Sequence, residues 1–312
     1  MKMTRKDFLK TVALGGLTTT LCAADQIAVL AQEGAAGGKS VDFVALLGGE
    51  PEEMFTKGID AIGGMTRFVS RGDKVVIKPN IGWDTSPELA GNTNPDLVVS
   101  LINACKDCGA KEIVVFDHTC DEWRRCYRSS GIEEAAKKAG AVVMPGNDEK
   151  YYRPYKLPNA VVLKDVLIHQ AILDCDKWFN VPILKNHGGA RMTIAMKNLL
   201  GIVWDRRAVH QAGLDQGIAD LCTIDKPACL NIVDAYRIMK TNGPRGRNED
   251  DVELVKALFM STDPVAVDTA STQFFSQFTD MKLEDVKYLP MGEEMNIGSM
   301  SLDGLNPQRI RI

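Results

Sequence analysis

The sequence predicts an α/β domain built on a mainly parallel sheet flanked by helices. Two observations carry that reading. Apolar runs of strand length alternate with segments of helical period. The helical segments open on capping residues or proline and close on glycine, so the punctuation agrees with the periodicity.

The elements follow in order. Residues 41–47 form an apolar run of strand length. Pro51, after Gly48-Gly49, stands where a first helical turn accepts proline, and opens a helix to about Ile62. Arg71-Gly72-Asp73 is a turn, and residues 74–78 form a buried strand that ends at Pro79. Asn94-Pro95-Asp96 starts a helix with apolar residues Leu97, Val98, Leu101 and Ile102, and Gly109 stops it. Residues 112–116 form the next strand. Ser130 caps a helix over 132–139 that Gly140 ends, and 141–144 is another strand. Residues 151–168 alternate less regularly and read as a small β insertion. Residues 177–184 are strand-like, 215–224 helical, and 228–233 a strand ending on Asp234. A strand over 254–260 precedes Asp263-Pro264, which opens a helix to about Phe275. Residues 309–312 add an edge strand. Alternation at this spacing implies βαβ crossovers.

The first forty residues read differently. Thr4-Arg5-Lys6-Asp7-Phe8-Leu9-Lys10 resembles a twin-arginine export motif with lysine in the second arginine position. A short apolar stretch follows, and Val29-Leu30-Ala31 offers small residues at both positions a signal peptidase reads. Residues 1–31 are therefore expected to be an export signal to the periplasm, 32–40 a linker, and 41–312 the α/β domain. An uncleaved anchor is the alternative, although the apolar run is short for a span and Asp25 interrupts it. No stable membrane span is expected after signal removal.

Composition narrows the function classes. Hydrophobic residues make up 45% and charged residues 25% of 312, enough to bury a core without disulfides. The net charge of −4 becomes more negative once residues 1–31 leave, because they carry more basic than acidic side chains. That argues against a nucleic-acid partner.

Several motifs carry a family likeness. They are Val76-Ile77-Lys78-Pro79-Asn80, Asn94-Pro95, and Gly109-Ala110-Lys111 followed by a strand and Asp117. Further along come Leu184-Lys185-Asn186-His187, Met196-Lys197-Asn198-Leu199-Leu200-Gly201 and Ile218-Ala219-Asp220-Leu221. Asn242-Gly243-Pro244 and Asp263-Pro264-Val265-Ala266-Val267-Asp268 complete the set. In order and spacing they resemble the DUF362 family, a domain of unknown function, from about residue 41 to the end. The resemblance implies the fold and the site but no reaction. Some members of that family carry a ferredoxin-like iron–sulfur segment, whose cysteine run this chain lacks.

In open parallel sheets, ligands bind beyond the carboxyl ends of the strands. Lys78 and Asn80 end one strand, Asp117 and His118 another, Lys185 and His187 a third, and Asp234 a fourth. Lys197, Asn198 and His210 lie on the following connection. Converging lysines and histidines make a cationic pocket suited to an anionic small molecule, a carboxylate or a phosphate. The expectation is proton transfer by an isomerase or lyase. Lys185, His187 and His210 would be catalytic, with Lys185 or His187 as base. Lys78, Asn80, Asp117, Lys197, Asn198 and Asp234 would bind substrate, with Lys78 and Lys197 holding the anion. Two alternatives stand beside this. One is a redox protein, with a redox partner, that carries an iron–sulfur cluster on Cys105, Cys108, Cys120 and Cys126, or a divalent metal on the imidazoles of His118, His187 and His210 with Asp117 or Asp234. The other is a non-catalytic binder of an anion. Asn242-Gly243-Pro244-Arg245-Gly246 reads as a turn close to where a ligand would enter.

Overall fold

The computed structural model describes residues 41–312; the expected signal at 1–31 and linker at 32–40 lie outside the described residues. The strands are β1 (Phe43–Leu47), β2 (Lys74–Pro79), β3 (Glu112–Val115), β4 (Val142–Val143), β5 (Tyr152–Lys156) and β6 (Asp165–His169). They continue with β7 (Lys177–Val181), β8 (Ile183–His187), β9 (Arg191–Thr193), β10 (Leu230–Met239), β11 (Val252–Ser261) and β12 (Gln308–Arg311). The main sheet runs β12-β1-β11-β10-β7-β2-β3-β4, with β8 beside the distal half of β10 and β9 on β8. From β10 to β4 every neighbour is parallel.

Helices cover the sheet: α1 (Pro51–Ala61), α2 (Pro95–Asp107), α3 (Trp123–Ser129), α4 (Ile132–Lys138) and α5 (Gln170–Asp174), then α6 (Ala195–Asn198), α7 (Arg206–Gln211), α8 (Leu214–Leu221), α9 (Pro264–Phe275) and α10 (Tyr288–Glu294). Alternation along β2 explains the two layers. Val75 and Ile77 enter the core with Phe55, Ile59, Leu97 and Leu101 of α1 and α2. Their neighbour Lys78 therefore faces the other side, where α6 lies. The predicted caps are in place: Asn94 Oδ1 accepts from Asp96 N at 2.9 Å, and Asp263 Oδ1 from Val265 N and Ala266 N at 2.8 and 2.9 Å.

Two expectations need correction. The run over 177–184 is not one strand. Pro182 brings no N–H to the ladder, so β7 stops at Val181 and β8 restarts at Ile183 beside β10. The strand expected to end on Asp234 continues to Met239. It then returns as antiparallel β11, so Asn242-Gly243-Pro244 lies in the connection of a long hairpin. β11 pairs antiparallel with β1 as well, so the sheet is mixed at that side. The insertion expected at 151–168 is present as the antiparallel pair β5–β6.

Candidate functional site

The carboxyl ends of β2 and β3, together with β8, α6 and α7, surround a cavity of about 320 Å³. Lys78, Asn80, Asp117, Lys185, His187, Lys197, Asn198 and His210 all line it, as the strand-end placement predicts. His118, Cys120, Gly201 and Arg206 complete the wall, and Pro244 of the β10–β11 connection stands at the same cavity. A second cavity, of about 530 Å³, lies under the β5–β6 hairpin and contains none of these residues.

The three lysines differ in how many acceptors each one meets. Lys78 is 1% exposed. Its Nζ donates to Pro79 O at 2.7 Å and to Asn198 Oδ1 at 2.8 Å, and pairs with Asp117 Oδ1 at 2.8 Å. Three acceptors match the three hydrogens of an ammonium. Burial pulls the Lys78 pKa down, and the Asp117 carboxylate opposes it. Asp117 is fixed in turn by Ile81 N at 2.7 Å and His118 N at 2.9 Å. Lys185 is also 1% exposed but meets two acceptors, Asn80 Oδ1 at 3.0 Å and Gly91 O. Burial, with Lys197 and Lys78 adding to it and Cys120 and Asp117 opposing, brings Lys185 down to about 7. Two acceptors satisfy the two hydrogens of a neutral amine and leave its lone pair free. Lys197, half-buried on α6, donates to no acceptor among the described residues, and burial brings it down to about 8.

A chain of amides holds these lysines in place. Asn198 Oδ1 accepts from Lys78 and, at 3.0 Å, from Asn80 Nδ2. Asn198 Nδ2 donates to Asn180 Oδ1 at 2.8 Å, and Asn180 Nδ2 to Asn231 Oδ1 at 2.9 Å. α6 itself is seated by Asp268, which accepts from Ala195 N at 2.7 Å and Met196 N at 2.9 Å. Gly201 is required by contact: a Cβ there would lie 1.9 Å from Asp117 Oδ1 and 2.6 Å from Lys78 Nζ.

Neighbouring groups fix the imidazole tautomers. His187 Nδ1 accepts from Gly189 N at 3.0 Å and Ala190 N at 3.1 Å, so its proton sits on Nε2. Burial, followed by Lys197 and Lys185, pushes this imidazole down to about 3. With Nδ1 occupied, the ring presents Nε2–H as its donor. His118 is the reverse. Its Nδ1 lies 2.9 Å from Val203 O and donates to it, the ring stacks on Trp204, and Nε2 keeps a free lone pair. Burial, then Arg206, lowers its pKa. His210 is exposed at the rim.

Some expected site residues lie elsewhere. Asp234 sits within β10 rather than at its end. Its carboxylate takes Asn94 N at 2.7 Å and Tyr236 N at 3.0 Å, and burial raises it to about 6. Cys105 is buried in α2, Cys108 caps that helix, and Cys126 is buried in α3 with Sγ toward Gly82 O. Only Cys120 of the four proposed cluster cysteines reaches the cavity. Among the described residues, no three His, Cys, Asp or Glu side chains are placed to share a metal ion. The four-cysteine cluster and the three-imidazole site are therefore not assembled, because β3 and its loop separate the cysteine pairs. Arg206 and Gly201 were missed as site residues. Arg206 follows Trp204-Asp205 with no spacing signal, and only the fold brings it beside Cys120.

The DUF362 family, described as a domain of unknown function, matches residues 75–273. The chain belongs to the DUF362 family. Every residue lining the cavity falls inside this DUF362 segment. A thylakoid-associated protein of Synechocystis sp. is 23% identical over 222 residues, covering 69% of this DUF362 chain and 66% of that protein. The lactate racemase apoprotein from Thermoanaerobacterium thermosaccharolyticum aligns with a TM-score of 0.49 at 8% identity, covering 74% of this chain and 56% of that one. No helix among the described residues of this DUF362 chain is long and apolar enough to cross a membrane.

Proposed function

We propose that this DUF362 protein is an enzyme that binds a small anion in the cavity and moves a proton on it, with Lys185 as the base. One observation carries the reading: Lys185 is buried among cations and meets two acceptors where Lys78 meets three. Lys185 can therefore rest as an amine with its lone pair toward the ligand, while Lys78 is a fixed charge in the wall. Lys197, without a hydrogen-bond acceptor among the described residues, supplies a charge for the anion. Arg206 adds a second positive charge at the same cavity. His187 Nε2–H suits an oxygen on which charge builds as the proton leaves. An isomerase or lyase acting next to a carboxylate fits these roles.

The test uses inorganic phosphate and a panel of small carboxylates. Chemical-shift titration is expected to place anion binding at Lys197, and Lys197→Met to weaken it by about tenfold or more, the scale of one lost charge-assisted hydrogen bond. Incubation in deuterium oxide is expected to put deuterium on carbon in at least one carboxylate. Unchanged anion affinity in Lys197→Met would remove the binding half. Binding without exchange in any carboxylate would reduce the protein to a binder.

We further propose that residues 1–31 direct export, on the basic, apolar and small-residue order of that segment. The mature N-terminus, read by mass spectrometry on protein from the periplasm, is expected just after Ala31. Full-length protein confined to the cytoplasm would contradict it.

A further inference from the structure

Cys120 differs from the other described cysteines in environment and in hydrogen bonding. Cys105, Cys126 and Cys175 are buried, and Cys108, Cys222 and Cys229 are half-buried. Burial raises the thiols of these six, Cys126 to about 12 and Cys175 to about 11. Four of them direct Sγ at a backbone carbonyl. Cys120 is exposed, and its sulfur accepts rather than donates: Arg206 Nη1 lies 3.1 Å from Sγ. The guanidinium is held for that contact, with Nη2 donating to Thr119 O at 2.7 Å and Nη1 also reaching His118 O at 3.3 Å. The same cavity holds Lys197, which has no acceptor among the described residues, and Lys185. The sulfur thus stands exposed at the cavity wall against a guanidinium, with the Lys197 ammonium in the same cavity, the electropositive and accessible setting in which reactive cysteines sit.

We propose that Cys120 is a nucleophile of this cavity, directed at the electrophilic carbon of a small carboxylate held at Lys197. This rests on the anion-binding reading above but not on the proton transfer. Iodoacetate is the probe. The sulfur attacks the methylene carbon, the S–C bond forms as the C–I bond breaks, iodide leaves with the bonding pair, and the carboxylate stays on the lysine.

The experiment compares iodoacetate with neutral iodoacetamide on the intact chain, reading each cysteine by peptide mass spectrometry against glutathione as an ordinary thiol. Cys120 is expected to react first with both reagents. Its preference for iodoacetate over iodoacetamide is expected to exceed that of glutathione by about tenfold, the scale of electrostatic focusing in a charged cleft. Inorganic phosphate should slow the iodoacetate reaction. Lys197→Gln should abolish the preference; Arg206→Gln should lower the rate with both reagents. If Cys120 reacts with iodoacetamide no faster than glutathione, the inference fails whatever anions do. If it reacts fast but shows neither preference nor protection by phosphate, the anion-binding reading fails and takes the directed attack with it.

Discussion

Asp117→Asn is expected to cost about 3–5 kcal/mol of stability, the usual loss when one member of a buried ion pair is removed. Lys78 and Asp117 have side chains 1% and 3% exposed and lie 2.8 Å apart. An asparagine keeps the volume but leaves the ammonium uncompensated. It also turns an N–H toward one of three donors that now meet carboxylate oxygen: Lys78 Nζ, Ile81 N or His118 N. Little room exists for repacking, because Gly201 already sits where a Cβ would strike Asp117 and Lys78. Urea unfolding gives the number. Lys78→Met should cost a comparable amount alone, and the double variant Lys78→Met/Asp117→Asn less than the two losses added, with a coupling above about 1 kcal/mol. Strict additivity would show that the pair is not coupled. The pH dependence has a definite sign. Without Asp117, the Lys78 pKa falls further below its unfolded value. Between the variant's Lys78 value and the wild-type one, only in the variant does the unfolded chain bind the extra proton, so the variant's stability rises with pH there and its deficit shrinks.

The strand-end logic found most of this site because it needs only the order of elements. Lys78, Asp117, Lys185 and His187 could be placed together once their strands were recognised as neighbours in one sheet. Strand direction was not legible in the same way. The composition of β11 does not differ between parallel and antiparallel pairing, and its hairpin with β10 was hidden because Ala235–Met239 extends past the polar Asp234. The same hidden extension misplaced Asp234. Protonation roles lay still further from the sequence. Lys78, Lys185 and Lys197 are the same residue type at similar positions, and they separate only when acceptors are counted around each Nζ. The tautomer of His187 is set by Gly189 N and Ala190 N on its Nδ1, a contact no spacing in the sequence announces. The cysteine spacing misled because sequence distance says nothing about β3 lying between the pairs.

Any proton-transfer activity is expected to follow a narrow bell in pH. Lys185 must be neutral to accept a proton, and it is held down to about 7, first by burial and then by Lys197. Lys197 must be charged to hold the anion, and it is held down to about 8, first by burial. Activity therefore rises through about pH 7 and falls through about pH 8. The lower limb depends on the charge of Lys197, which lowers the Lys185 pKa. Lys185→Met removes the base and should lower deuterium exchange into the carboxylate by roughly 10²–10⁴-fold. Anion affinity should change only a few-fold, because Lys197 and Arg206 remain. Lys185→Arg separates the base from the charge. A guanidinium keeps a cation at this position but cannot lose its proton at any pH the fold survives. Exchange should therefore be lost in Lys185→Arg as fully as in Lys185→Met. If Lys185→Arg keeps the exchange, the side chain acts as a charge, and the free lone pair that two acceptors leave on Lys185 has no part in the chemistry.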